Sequence, residues 1–258
     1  MHIETLGSGP SVVLLHGWAL HGGVFAPLVQ RLSDRYTLHL VDLPGHGHSR
    51  DSEVALTLDA TVDAILAATP PAAWLAWSLG GLFALHAAAV SPQVRGLSMI
   101  AATPRFVRGD AWPHAVDASV FAQFGDDLRN DYAGTLERFL ALDTMGSEHA
   151  RSELRTLKQD LYARAEPAPT ALQAGLQLLE QADLRAVLPT LPVPSLWLGG
   201  RRDLLVPSNA MQAAAAMSPR ATFVEIAGGG HAPFLGHADR VAAEVDRFLQ
   251  SLPRDVPA

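Results

Sequence analysis

Three residues of this chain are of the types that together carry out nucleophilic acyl transfer: Ser78, Asp203 and His231. A serine hydroxyl is a weak nucleophile at neutral pH. It needs a base to take its proton, and a histidine in that role needs an acid to hold its tautomer and stabilise its cation. Each residue also has a plain structural use. Ser78 could cap a helix, Asp203 could cap a loop, and His231 could pack beneath a glycine loop. What they share is placement. Ser78 follows the apolar run Trp74-Leu75-Ala76-Trp77, Asp203 follows the run at 195–198 after Gly199-Gly200-Arg201-Arg202, and His231 follows the run at 222–226 after Ala227-Gly228-Gly229-Gly230. All three therefore fall just past the C-terminal end of an expected strand, the edge at which parallel sheets carry ligands.

The surroundings of Ser78 are the most informative. Past Gly81 the pattern changes to Leu82, Phe83, Leu85, Ala87 and Ala88, a buried helix, so Ser78 must turn from strand to helix in about one residue. Ala76, Gly80 and Gly81 supply the small side chains that such a corner needs. The corner lifts the hydroxyl clear of its own backbone near the positive end of the helix. A tetrahedral oxyanion formed there requires N–H donors fixed in advance. Those donors are expected from Leu79, the residue after the nucleophile, and from Trp18, in the loop after the strand at 12–15.

The elements that must hold these residues alternate. Strands are expected at 12–15, 36–41, 74–77 and 97–101, with helices at 24–32, 56–68 and from Gly81 to about Val90 between and after them. Such alternation predicts a doubly wound, mostly parallel α/β sheet. It stops at about Arg105. Helical patterning then covers 116–128, 132–142, 148–164 and 170–181, and alternation resumes with strands at 195–198 and 222–226 and a helix at 238–249. The expected division is a core of residues 1–108 and 186–258 with a helical lid at 109–185, inserted after the sixth strand. The tail at 253–258 is expected to fray.

Composition narrows the class. The 258 residues are 48% hydrophobic and 17% charged, ample for a large core, and the net charge of -7 gives no basic footprint for nucleic acid. With no cysteine, thiolate catalysis and disulfides are excluded. No secretory leader and no membrane span are visible, so a soluble cytoplasmic monomer is expected. His46 and His48 lack a third ligand nearby, so no metal is expected, and no cofactor.

The order Ser78, Asp203, His231 is the nucleophile–acid–base order of α/β-hydrolases. With Leu15-His16-Gly17-Trp18, Asp42-Leu43-Pro44-Gly45-His46-Gly47-His48-Ser49 and the corner at Ser78, the chain resembles that superfamily over almost its whole length. Within it the sequence is most similar to the pimeloyl-acyl-carrier-protein methyl ester esterases of biotin synthesis, through Leu15-His16-Gly17-Trp18, Trp77-Ser78-Leu79-Gly80-Gly81 and Arg138-Phe139-Leu140-Ala141-Leu142-Asp143-Thr144-Met145-Gly146. Those esterases usually carry glycine where this chain has Ala76. The resemblance implies the α/β-hydrolase fold and hydrolysis of a methyl ester on an acyl-carrier-protein-bound chain. It also implies substrate contacts at Trp18, Trp77, Ser78, Leu79, Phe139, Leu140, Ala141, Leu142, Asp143 and His231. Phe106, Trp112, Phe121 and Phe124 could extend an apolar channel, with core packing as the alternative. Carrier-contacting cations are implied in the lid. Arg151, Arg155 and Lys158 share one helix face, with Arg138 near, unless that face is a solvated one paired with Glu148 and Asp160. A general short-chain carboxylesterase and a non-catalytic small-molecule receptor remain the alternative readings.

Overall fold

The apolar runs of the sequence become the strands of one sheet. In the computed structural model, which describes residues 1–253, the chain begins with β1 (Ile3–Gly7) and β2 (Ser11–Leu15). It continues through α1 (Ala26–Leu32), β3 (Thr37–Val41), α2 (Leu58–Ala68), β4 (Ala72–Trp77), α3 (Gly80–Val90) and β5 (Val94–Ile100). Four helices follow without a strand: α4 (Ala118–Asn130), α5 (Tyr132–Thr144), α6 (Ala150–Ala163) and α7 (Pro169–Gln181). The sheet resumes with β6 (Ser195–Gly200), α8 (Ser208–Met217), β7 (Ala221–Ile226), the single turn α9 (Pro233–Gly236) and α10 (Ala238–Ser251). The expected frayed tail lies, from residue 254 on, outside the described residues.

The seven strands lie in the order β1-β3-β2-β4-β5-β6-β7. Among the described residues only β1 is antiparallel, along β3; every other neighbouring pair is parallel. Parallel strands covered by helices on both faces are apolar along their whole length, and β4 is buried at every position. The chain reverses its direction of travel across the sheet at β2 and β4. The crevice past their C-terminal ends is therefore the topological switch point, where open α/β sheets bind ligands. His16-Gly17-Trp18 leaves β2 there and Ser78 leaves β4.

The helical insertion enters after the fifth strand of the chain, not after the sixth. Among the described residues β1 alone precedes β2, and it forms the antiparallel edge along β3. Within the insertion α4 packs on α7 and α5, and α5 packs on α6. Its C-terminal part is tied to the core by charge. Arg164, just past α6, donates from Nη1 to both carboxylate oxygens of Asp42 at 2.8 Å and from Nη2 to Glu4 at 2.9 Å. Asp42 is fully buried at the end of β3 and also accepts the N–H groups of Gly22 and His48, each at 2.8 Å.

Candidate active site

Ser78 adopts φ +53°, the left-handed region that costs a residue with a Cβ about 1–2 kcal/mol. The surrounding backbone enforces it. The Ser78 N–H donates to Ile100 O at 3.0 Å, and the Gly81 N–H donates to Ser78 O at 2.8 Å. A Cβ on Gly80 would meet Leu15 O at 2.5 Å, and one on Gly81 would meet Ala102 Cβ at the same distance, so α3 starts this close to β2 and β5 only because both positions are glycine. Ala76 sits inside β4 in regular register with Leu15 and Met99, and its methyl is accommodated in the sheet.

The three candidate residues meet. His231 Nε2 lies 2.8 Å from Ser78 Oγ, and His231 Nδ1 lies 2.8 Å from Asp203 Oδ2. An ionised carboxylate only accepts, so Nδ1 carries the proton and Nε2 is free to receive one from the serine. Asp203 Oδ1 accepts the N–H groups of Leu205 (2.8 Å) and Val206 (2.9 Å), which fixes the carboxylate. His231 is gripped through its own backbone: its N–H donates to Asp143 O at 3.2 Å, and its carbonyl accepts the indole N–H of Trp77 at 2.8 Å. Burial opposes its cation, but the Asp203 charge and hydrogen bond, with the Asp143 charge added, outweigh burial and raise its pKa.

Beside this chain the backbone N–H groups of Trp18 and Leu79 have no protein acceptor among the described residues. The loop that carries Trp18 is set by His16. Burial holds that imidazole at a pKa of about 3, so it is neutral; its Nδ1–H donates to Gly17 O at 2.7 Å and its Nε2 accepts the Leu43 N–H at 2.9 Å. The Trp18 indole donates to Leu172 O at 2.8 Å, and its ring lies 4.5 Å from that of Phe139, which also meets Phe124 at 5.3 Å. α5 and α7 thus close over the loop after β2, and Ser78 is only 2% exposed.

Of the expected substrate contacts, Trp77, Phe139, Leu140 and Asp143 are buried, while Ala141 and Leu142 are half-buried. Trp77 packs against His231 and Phe234 and braces the histidine. Phe106 and Phe121 pack on each other, and the Trp112 indole donates to Arg105 O. Asp143 is the unusual member. Its Oδ1 lies 4.0 Å from His231 Nε2, and neither carboxyl oxygen has a hydrogen-bond partner among the described residues. Burial, with the Asp203 charge added and His231 opposing, pushes its pKa up to about 7.

The expected cationic face divides. Arg151 and Arg155 are exposed on α6 beside Leu154, Gln159 and the half-exposed Tyr162. Lys158 pairs with Glu137 of α5 at 2.9 Å, and Arg138 pairs with Asp131 at 3.0 Å and Asp127 at 3.3 Å. Among the described residues these cations pair with Glu137, Asp131 and Asp127 and not with Glu148 or Asp160. Glu148 lies nearest His149 and His237, and Asp160 is partly buried, which pushes its carboxyl up to about 6. His46 is buried, with Nδ1 against Pro44 O at 3.0 Å, and His48 packs on His2. Among the described residues one group of metal-ligand type, Glu148, His149 and His237, brings its ligand atoms within 4.8 Å, with two of the three exposed.

The family model of the alpha/beta hydrolase fold matches residues 10–238. The chain belongs to the α/β-hydrolase family. This hydrolase is 68% identical over 253 residues to a pimeloyl-[acyl-carrier protein] methyl ester esterase of Xanthomonas oryzae pv. oryzae, covering 98% of this chain and all of that one. It is 66% identical over 252 residues to the protein of the same name from Stenotrophomonas maltophilia, covering 98% and 97%. Among solved structures it superimposes on an esterase from Exiguobacterium antarcticum with a TM-score of 0.88 at 22% identity, over 97% of this hydrolase and 95% of that chain, a likeness of fold.

Proposed function

We propose that this hydrolase cleaves the methyl ester of pimeloyl-acyl-carrier protein, giving the free pimeloyl carrier and methanol for biotin synthesis. The observation that carries the chemistry is the buried Ser78–His231–Asp203 chain with 2.8 Å at each link. The substrate follows from the identity to the Xanthomonas oryzae pv. oryzae esterase, which runs through the helical insertion as well as the core.

Ser78 Oγ attacks the ester carbonyl while its proton passes to His231 Nε2. Asp203 stabilises the imidazolium and keeps its orientation. The N–H groups of Leu79 and Trp18 receive the oxyanion, each worth about 3 kcal/mol in the transition state. His231 then returns the proton to the leaving methoxy oxygen, and water repeats the sequence on the acyl-serine. The helices at 109–185 act as a lid. Phe139, Leu140, Ala141 and Leu142, with Trp18, line the acyl chain, and Trp77 holds His231. Arg151 and Arg155, with Arg138 and Lys158 once their acidic partners exchange, face the acidic carrier. The working protein is a cytoplasmic monomer without a cofactor.

The test is methanol release from pimeloyl-acyl-carrier-protein methyl ester beside hydrolysis of p-nitrophenyl butyrate, at low and high salt. Cleavage of the carrier ester that weakens with salt is expected, because exposed charges are screened over about 8 Å at physiological ionic strength. Cleavage of the short ester alone would leave a general carboxylesterase and refute the carrier assignment.

A further inference from the structure

A buried carboxyl with both oxygens unpartnered costs about 1–3 kcal/mol, more when charged, and asks for a reason. Asp143 is 1% exposed and, among the described residues, is such a group. Its position is not loose. It sits near the C-terminal end of α5, and its own carbonyl accepts the His231 N–H, so the backbone that carries the carboxyl also holds the histidine. It approaches His231 at Nε2, the nitrogen that faces Ser78, whereas Asp203 occupies Nδ1.

The 4.0 Å between Asp143 Oδ1 and His231 Nε2 is too long for a hydrogen bond and suits a bridge through one oxygen atom. An oxygen about 2.8 Å from each atom, the usual hydrogen-bond length, would subtend roughly 90° between them, near the angle between the two O–H bonds of water. Nε2 lies 2.8 Å from Ser78 Oγ, so an oxygen held on Nε2 is held by the nitrogen that faces an acyl-serine.

We propose that Asp143 is a catalytic residue of deacylation, accepting one hydrogen of the hydrolytic water while His231 Nε2 accepts the other. The proposal rests on the hydrolase reading of Ser78 but not on the identity of the acyl chain. In the step, the water oxygen forms a bond to the acyl carbon and the proton facing His231 passes to Nε2. The second O–H stays on the nucleophile, aimed at Asp143. Collapse of the tetrahedral intermediate breaks the bond to Ser78 Oγ, which takes the proton back from Nε2, and the carboxylic acid leaves. Asp143 orients the attacking lone pair and neither gains nor loses a proton. The titratable groups acting on it are His231 and Asp203, and its ionised form is the stronger acceptor.

Acylation needs no water, so the two half-reactions separate the proposal from a structural role. The test is stopped-flow hydrolysis of p-nitrophenyl butyrate by Asp143→Leu and Asp143→Asn, with intact-mass detection of butyryl-Ser78. Asp143→Leu is expected to release about one p-nitrophenol per site in a burst slowed far less than the steady state, then turn over about 100-fold more slowly with the acyl-enzyme accumulated. It should also unfold at a higher temperature, since an unpartnered carboxyl gives way to an apolar side chain. Asp143→Asn, whose amide oxygen still accepts, should recover most of the deacylation. Equal loss of the burst and the steady state, or deacylation of Asp143→Leu at the wild-type rate, would overturn the proposal. A wild-type enzyme inactive on both this ester and the carrier ester would overturn the hydrolase reading and the proposal with it. Failure on the carrier ester alone would leave the proposal standing and remove only the substrate assignment.

Discussion

Gly80→Ala tests whether the backbone around Ser78 is built as tightly as the reaction needs. The new methyl would lie 2.5 Å from Leu15 O and 2.8 Å from His16 O. Both are main-chain atoms at the end of β2, held by the sheet, and neither can rotate aside. A carbon–oxygen contact relaxes at about 3.3 Å, so the start of α3 and the end of β2 must part by about 0.8 Å. The proposed oxyanion donors lie on opposite sides of that gap, Leu79 just before Gly80 and Trp18 two residues past His16. A hydrogen bond of about 2.9 Å stretched by that amount is no longer one. Loss of one such donor lowers kcat about 10²–10³-fold, with KM changed far less because the donors act on the transition state. Overpacking should cost a further 1–3 kcal/mol or so of stability. The assay is kcat and KM on p-nitrophenyl butyrate, with urea unfolding to show that the variant is folded. A folded Gly80→Ala enzyme with kcat within about threefold of wild type would refute the reasoning.

Ser78→Gly should abolish turnover and yet stabilise the protein by about 1 kcal/mol, since glycine occupies the left-handed conformation at no steric cost; thermal unfolding beside activity reads both. Arg164→Met leaves Asp42 buried without its counter-charge and should cost about 3–5 kcal/mol, a fall of about 6–10 °C in Tm for a chain of this size, measured by calorimetry. The base must be neutral to accept the serine proton, and the His231 pKa is raised, so kcat/KM should fall with acidification from a midpoint above the ordinary histidine value of 6.5; a pH–rate profile checks this. Arg151→Glu with Arg155→Glu should weaken use of the carrier ester at low salt and leave p-nitrophenyl butyrate hydrolysis unchanged.

The residues legible in the sequence were those with a local signature. Ser78, Asp203 and His231 each follow an apolar run and lie beside glycine or a tight turn, so their shared edge is legible in the sequence alone. The strands at 12–15, 74–77 and 195–198 were equally plain, because buried parallel strands are apolar throughout. β1 carries no clear signal, because Ile-Glu-Thr-Leu-Gly is a partly exposed edge strand without strong alternation. α8 is equally silent, because its alanine-rich stretch carries no side-chain cap and little periodicity. The Arg164–Asp42 pair joins residues 122 positions apart and has no local signature at all. Only the resemblance points to Asp143; nothing in its sequence neighbours signals a carboxyl beside His231.

Lys158 is the only lysine of the chain, the other basic side chains being arginine. It stands on α6 between the exposed Arg155 and Tyr162, within reach of Glu137. Amine-reactive chemistry, which passes over guanidinium, therefore has one side-chain address on this protein besides the N-terminus. A lysine-directed crosslinker or fluorophore placed there would report on whatever docks against α6, without any residue being mutated first.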